Sequence, residues 1–155
     1  MNQFIIHLPP DSYASNDFGE FCVQLGDYYF PSKGWTDFGE RVVFSWANQL
    51  IELLTGKSKK VYCRFMDGNY RLDAETTGSK EILNVAFIRD ASNVVDVKHQ
   101  ENVNSEQFIQ EILRVMTAFQ EECKKNGNYE AVDRIQVSIE KFAQAKNFFS
   151  QKIPE

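Results

Sequence analysis

The alternating stretch at the centre of the chain, residues 60–99, constrains the fold more than any other feature. Residues 60–66 and 70–76 alternate apolar and polar side chains on either side of Asp67, Gly68 and Asn69. Alternation with a period of two is typical of a strand with one buried face, and these three residues tolerate the positive φ of a tight turn. The pattern therefore predicts an antiparallel hairpin.

The register of this hairpin can be predicted from charge. If Asp67 and Gly68 form the centre of the turn, Arg64 lies opposite Arg71, which is a repulsive pair. If Gly68 and Asn69 form the centre, Arg64 lies opposite Asp73, which is an attractive pair. We therefore favour the second register. In either register the face opposite the core carries Tyr62, Arg64, Met66, Arg71, Asp73 and Glu75.

Further strands are predicted on both sides of the hairpin. Residues 81–89 and 93–99 extend it into a four-stranded meander, with a turn at 90–92 between them. Residues 3–8 and 20–25 are short apolar and aromatic segments that predict two N-terminal strands.

Three helices complete the predicted set. The first follows Gly34 and Trp35, with Asp37 as its N-cap, Glu40 three residues later in a capping box, and Gly56 at its end. The second begins at the cap Asn104 and ends at Asn126 and Gly127. The third covers 128–149, and both carry apolar residues at helical spacing.

The order of these elements predicts an α+β fold. An antiparallel sheet, formed by the meander of four strands plus the N-terminal strands, packs against about three helices in one domain over residues 1–155.

No apolar run approaches the ~20 residues that a membrane helix needs, and the N-terminus lacks the pattern of a signal peptide. We therefore expect a cytoplasmic protein without a membrane partner.

The charge of the chain is concentrated near its start. Lysine and arginine total 17 and aspartate and glutamate 22, a net charge of −5 that argues against binding to nucleic acid. The first 56 residues hold seven acids and two basic residues, whereas the remainder is balanced. The same segment contains the aromatic residues Tyr13, Phe18, Phe21, Tyr28, Tyr29, Phe30, Trp35 and Phe38. An acidic surface with aromatic side chains would suit a protein partner with a basic surface.

No residue pattern predicts a metal, a cofactor or a catalytic site. Cys22, Cys63 and Cys123 have neither metal-ligand nor redox spacing, so we expect reduced, packed thiols. The two histidines, His7 and His99, are each expected to be structural or exposed to solvent.

One short run resembles part of a phosphate-binding loop. Gly56, Lys57 and Ser58 match its end, but Ile51 stands where its first glycine belongs, and a predicted helix precedes the run where a strand is required. We interpret it as a glycine helix cap followed by lysines near the negative end of the helix dipole.

Several short motifs together resemble a group of small bacterial proteins. They are Phe30-Pro31, Gly34-Trp35-Thr36-Asp37-Phe38, Trp46, Arg64-Phe65-Met66-Asp67-Gly68-Asn69-Tyr70 and Phe87-Ile88-Arg89-Asp90. The group resembles the immunity proteins of polymorphic and contact-dependent toxin systems, small acidic domains that each neutralise one toxin. This chain has Asn69 where the group's pattern has proline. The resemblance implies protein binding and carries over no catalytic residue.

We therefore predict a non-enzymatic, immunity-type binding protein with an acidic and aromatic surface. The residues predicted to contact the partner are Asp27, Tyr28, Tyr29, Trp35 and Asp37, with Arg64 and Arg71 on the outer hairpin face as a second patch. Two alternatives remain open: a small-ligand module or enzyme with a pocket between sheet and helices, and a structural subunit of a homo-oligomer.

Overall fold

The computed structural model describes residues 1–9 and 18–151, and within them the chain is α+β, as predicted. The strands are β1 (Phe4–His7), β2 (Phe18–Glu20), β3 (Cys22–Leu25), β4 (Tyr28–Phe30), β5 (Thr36–Phe38), β6 (Lys60–Arg64), β7 (Tyr70–Thr76), β8 (Ile82–Ala91) and β9 (Val94–Asn104). The helices are α1 (Gly39–Leu54), α2 (Ser105–Lys125) and α3 (Tyr129–Gln151).

The strands form antiparallel sheets of different sizes. The predicted meander is the four-stranded sheet, in the order β6-β7-β8-β9. The N-terminal strands form a three-stranded sheet, β1-β3-β4, and the pair β2-β5. Helices α1 and α2 and the three-stranded sheet pack on the inner face of the meander, where Val61, Cys63, Leu72, Val85 and Phe87 are buried in one apolar core, and α3 packs against α1 and α2.

The hairpin between β6 and β7 has the register that we predicted against. Arg64 pairs with Arg71, whereas Asp73 lies opposite Tyr62. The repulsion is avoided because the Arg71 guanidinium turns away from Arg64, donating to Asp73 on its own strand at 2.8 Å and to Asp90 on β8 at 2.6 Å. The prediction considered only the directly opposite pair and therefore missed both partners of Arg71.

The start of α1 also differs from the prediction. Asp37 is not the N-cap: it lies in β5, α1 begins at Gly39, and the N-cap position is occupied by Phe38 with no side-chain cap. The chain is still extended at Asp37 because β5 pairs with β2 up to Phe38. At α2 the prediction is confirmed, since the Asn104 side chain accepts a hydrogen bond from the Gln107 amide at 2.9 Å.

The N-terminal segment contains more strands than predicted. The predicted strand 20–25 is divided at Phe21 into β2 and β3, which belong to different sheets. Strands β4 and β5 were not predicted, because segments of three residues are too short to show a period.

Trp46 and two of the cysteines belong to the buried part of the protein. Trp46 is fully buried on α1, and its indole Nε1 donates to the Arg64 carbonyl at 2.7 Å. Cys22, Cys63 and Cys123 are thiols outside any disulfide; Cys22 and Cys63 are buried, as predicted, whereas Cys123 is only partly buried. Of the helices in the described part of the chain, none combines the length and hydropathy needed to cross a bilayer.

Candidate functional site

A continuous row of six rings joins the three-stranded sheet to the meander. We call it the aromatic seam, and its members in spatial order are His99, Tyr28, Phe87, Phe30, Tyr70 and Trp35. Neighbouring ring centroids are 4.6 to 5.9 Å apart. The two phenylalanines are buried, and the other four rings are partly exposed. The seam therefore reaches from the core to the surface at both of its ends.

The alternation of side chains along the strands builds the centre of the seam. Tyr28 and Phe30 are two residues apart on β4, so both side chains point to the same side of that strand. Phe87 faces them from the inner face of β8, stacked on Phe30 at 4.7 Å with an interplanar angle of 6°. His99, on β9, lies directly opposite Phe87 of β8 and is therefore on the same face of the sheet. There its ring stacks on Tyr28, with 4.6 Å between the ring centroids.

Asp37 supports the Trp35 end of the seam from inside the protein. Its carboxylate accepts hydrogen bonds from the amides of Phe38 at 2.7 Å and Asp67 at 3.1 Å, and from the Trp35 indole at 3.4 Å. The side chain is fully buried. The prediction that Asp37 contacts a partner is therefore wrong, because this carboxylate is engaged in joining β5 to the turn between β6 and β7.

The turn at Gly68 fits tightly against the same end. Gly68 has a φ of +74°, and a Cβ at this position would lie 2.9 Å from the Tyr70 ring and 3.4 Å from Trp35. Tyr70 meets Trp35 edge to face at 5.3 Å. Only glycine combines this backbone conformation with the close approach of both rings. Trp35 is partly exposed, as the predicted role requires.

The Tyr28 end of the seam carries several polar groups. His99 Nε2 lies 2.6 Å from a carboxylate oxygen of Glu101. Burial raises the pKa of the Tyr28 hydroxyl, with Asp96 acting in the same direction and Lys98 against it. Asp27 is exposed in the tight turn between β3 and β4, directly beside Tyr28. This end therefore combines aromatic surface with accessible charge.

Tyr29 lies apart from the seam. It stacks on His7 at 5.7 Å, and the Lys33 ammonium lies 5.5 Å from its ring centre. Because neighbouring residues of a strand point to opposite sides, Tyr28 and Tyr29 cannot both face the meander. The prediction placed them in one patch, and the structure separates them.

The two predicted arginines have different environments. Arg64 is exposed on the outer face of β6, as predicted. Arg71 is 9% exposed, paired with Asp73 and Asp90, and its guanidinium lies 5.0 Å from the centre of the Tyr62 ring. Hydrogen bonding to Asp73 is the largest cause that raises the pKa of Arg71. The prediction that Arg71 is available to a partner is wrong, since its donors are engaged within the sheet.

The acids of the N-terminal segment do not form one surface among the described residues. Asp37 is buried, Glu40 lies 3.7 Å from Arg134 of α3, and Glu52 is near the other end of α1. Asp11, Tyr13 and Asp17, which the prediction included in this segment, lie outside the described residues. Asp27 is thus the predicted acid that combines exposure with proximity to the seam.

Sequence reasoning missed three residues around the seam. Tyr70 and His99 are members, and Arg89 is exposed on the strand position directly opposite Tyr70. The position of His99 depends on two features of the β8–β9 ladder. A two-residue turn at Ser92 and Asn93, both with positive φ, sets the register, and a bulge at Phe87/Ile88 then places His99 opposite Phe87. The predicted turn at 90–92 was too early, and the bulge was not predicted, so the sequence did not show this alignment.

A cavity of about 530 Å³ lies away from the seam, where the start of α2 meets the end of α3. Its lining includes Lys80, Glu81, Glu106, Lys146 and Phe149. His99, which the prediction associated with a pocket between sheet and helices, does not line this cavity. In the described residues, no group of three or more His, Cys, Asp or Glu side chains is arranged to hold a metal ion.

Comparisons with family models, with curated proteins and with solved structures find no match to this chain.

Proposed function

We propose that this chain is a non-enzymatic protein-binding domain of the immunity type, and that it binds its partner across the aromatic seam. The observation that carries the proposal is the seam itself, whose rings reach the surface as Trp35 and Tyr70 at one end and as Tyr28 and His99 at the other. Tryptophan, tyrosine and arginine are the residues most enriched among interface hot spots, and exposed Arg89 adds the third type.

The rigidity of the seam supports a binding role. Each exposed ring is fixed by a neighbouring ring, and Trp35 is held in addition by the Asp37 carboxylate. A side chain that is already fixed loses little conformational entropy when a partner covers it. When a partner covers the exposed edges of these rings, little of the favourable free energy is lost to ordering the side chains.

Charge supports a role for Asp27 in the encounter. The partner that we propose presents a basic group to this carboxylate, and the chain's net charge of −5 would steer a basic partner toward it. In this proposal the seam holds the complex together and Asp27 accelerates its formation.

The test uses the product of the gene that neighbours the gene for this chain, which we propose to be the toxin. We expect the purified toxin to bind the chain, and co-expression of the chain to restore growth of cells that make the toxin. Trp35→Ala and Tyr28→Ala should each weaken binding roughly tenfold or more in calorimetric titration. Tyr129→Ala is the matched control, because Tyr129 is 68% exposed on α3, outside the seam, and its loss should leave affinity unchanged.

The kinetics of association provide a second readout. Asp27→Lys should slow association, and the effect should grow at low salt, because screening weakens steering by exposed charge. Absence of toxin binding and of growth rescue would overturn the immunity assignment. Binding that is equally strong for the seam variants and for the Tyr129 control would overturn the seam as its site.

A further inference from the structure

Strand β6 is an edge of the four-stranded sheet, and part of its backbone points away from the sheet. The Phe65 amide donates to the Tyr70 carbonyl at 3.0 Å, and the Thr76 amide to the Lys59 carbonyl at 2.9 Å. Hydrogen-bonded pairs alternate along an antiparallel ladder, so the odd-numbered residues of this segment bond to β7. The amide and carbonyl groups of Lys60 and Tyr62 are therefore directed outward.

The Arg64 end of the same edge is already occupied. The Arg64 carbonyl accepts the Trp46 indole hydrogen bond from α1 at 2.7 Å. Among the described residues, the open portion thus runs from the residues before Lys60 to the amide of Arg64. This length suits a short extended segment of a partner.

The open portion is surrounded by basic side chains. Lys57, Lys59 and Arg64 are exposed and form no salt bridge with any residue in the described ranges 1–9 and 18–151. The Lys60 ammonium lies 4.0 Å from Asp73, but the stronger partner of that carboxylate is Arg71 at 2.8 Å. Four cations therefore line one edge of an acidic protein.

Several acids also lie near this edge. Glu75 lies opposite Lys60 on β7, the exposed Asp67 follows the end of β6, and Glu52 lies at the end of α1, where its carbonyl accepts the Lys57 amide. Asp73 is buried beneath Arg71. The positive character of the edge therefore depends on Lys57, Lys59 and Arg64, whose exposed charges are not balanced by a salt bridge within the described residues.

Tyr62 supplies apolar surface in the middle of the edge. Its side chain points to the outer face between Lys60 and Arg64, and the residue is 47% exposed. The Arg71 guanidinium fixes the ring, with 5.0 Å between the guanidinium carbon and the ring centre. The edge therefore offers backbone hydrogen bonds, cations and one fixed aromatic ring together.

We propose that β6 binds an acidic, extended segment of a protein partner, which adds to the sheet as a further strand. Backbone pairing with Lys60 and Tyr62 would supply affinity, and carboxylates of the segment would meet Lys57, Lys59 and Arg64. This site is independent of the seam, which lies on the inner face of the meander and was proposed for a basic group beside Asp27.

The first experiment is a titration with a fluorescent oligoglutamate peptide of about eight residues, the length of a long strand. We expect saturable binding that weakens with salt. The double variant Lys59→Glu with Arg64→Glu should weaken it roughly tenfold. The matched control is Lys125→Glu with Lys141→Glu, which makes the same charge change at exposed positions of α2 and α3 and should leave binding nearly unchanged.

The second experiment tests whether the peptide pairs as a strand. Amide hydrogen exchange, followed by NMR, should show that Lys60 and Tyr62 exchange rapidly in the free protein and slow down when the peptide is bound. The Val61 and Cys63 amides, which bond to β7, should be protected in both states.

Three results would overturn the proposal. Absence of peptide binding would mean that the cations only protect the edge against unwanted pairing. Binding without protection of the Lys60 and Tyr62 amides would exclude strand addition. Tighter binding of a single-stranded oligothymidylate than of the peptide would assign the edge to nucleic acid, with Tyr62 as a stacking platform.

Discussion

Asp37 shows how one buried carboxylate can determine the arrangement of several segments. It accepts hydrogen bonds from three donors, two backbone amides and the Trp35 indole, and these donors belong to the segment before β5, to β5 itself and to the turn after β6. A hydroxyl or amide side chain at this position would accept fewer hydrogen bonds, and each would be weaker because the acceptor carries no charge. The sequence predicts Asp37 as the N-cap of α1, which is wrong, because its carboxylate accepts the amides of Phe38 and Asp67 and caps no amide of the helix. It does not show that the Asp67 amide, thirty residues further along the chain, shares the same carboxylate.

Removing this carboxylate should destabilise the fold. Asp37→Ala leaves buried donors without an acceptor, and we expect the free energy of unfolding to fall by about 3 kcal/mol. Urea denaturation followed by far-UV circular dichroism measures the change. Asp27→Ala is the control and should stay within about 0.5 kcal/mol of the parent, because Asp27 is exposed. Equal losses in the two variants would contradict the role given to Asp37.

The buried thiols make stability depend on alkaline pH. Burial raises the pKa of Cys63 and, to a smaller extent, that of Cys22. Above the ordinary thiol pKa of about 8.5 the unfolded chain loses thiol protons that the folded chain keeps, so the free energy of unfolding falls as pH rises. For Cys63 the loss steepens as the unfolded thiol ionises and is about 1 kcal/mol over the first pH unit above that value.

This dependence can be measured by denaturation between about pH 8.5 and 9.5, below the main titration of tyrosine and lysine. The parent protein should lose stability more steeply than Cys63→Ala. The comparison uses the slope, so the lower starting stability of the variant does not affect it. Parallel slopes would show that the Cys63 thiol ionises equally in the folded and unfolded states.

At the scale of elements, the hairpin of β6 and β7 shows why pairwise charge is an incomplete guide to register. Arg64 and Arg71 are directly opposite, yet the Arg71 charge is balanced by Asp73 and Asp90. The register is determined instead by the turn, in which Gly68 adopts positive φ against Trp35 and Tyr70. Asp90 comes from β8, so its contribution depends on the complete meander and could not be read from the hairpin alone.

This ion network predicts a large difference between the two arginines. Arg71→Ala should lower the free energy of unfolding by about 3 kcal/mol, because it leaves the Asp73 carboxylate buried without its main partner. Arg64→Ala, at an exposed position, should change it by about 0.5 kcal/mol or less. Thermal and urea denaturation of both variants provide the comparison.

A double variant separates the ion pair from simple loss of volume. Arg71→Leu with Asp73→Leu removes both charges together and should recover most of the stability lost in Arg71→Ala. If the double variant is less stable than Arg71→Ala, the cost of an unpaired Asp73 is not the reason for the loss.

The two helix starts show which local signals are reliable. The cap at Asn104 was predictable because the side chain and the Gln107 amide are three residues apart and depend on nothing else. Asp37 had the same signal, but the pairing of β5 with β2 keeps the chain extended there and delays α1 to Gly39. A short strand that forms only in the tertiary structure can thus override a helix signal.

At the scale of the whole molecule, the α+β class follows from the separation of strand and helix patterns along the chain. The meander and all three helices were predicted because each is long enough to show its period. The aromatic seam was not, because its rings come from β4, β7, β8, β9 and the segment before β5. Trp35 and Tyr28 were predicted to contact a partner, whereas Tyr70 and His99 become neighbours of these rings only when the sheets pack.

Folding brings together the motifs on which the resemblance to immunity-related proteins rests. Trp35 and Asp37 contact the turn formed by Asp67 and Gly68, and Trp46 bonds to Arg64. Much of this motif set therefore has a structural purpose, which is to join the N-terminal segment to the meander. The edges of Trp35 and Tyr28 that remain exposed are the part that we propose for binding.

The amide hydrogen-exchange footprint of the complex with the proposed toxin partner tests this account most directly. If the partner covers the seam, exchange should slow in residues 26–35, 68–70 and 89–99, while the exposed faces of α2 and α3 remain unchanged. Slower exchange confined to α2 and α3, with those three segments unaffected, would contradict the seam as the binding surface.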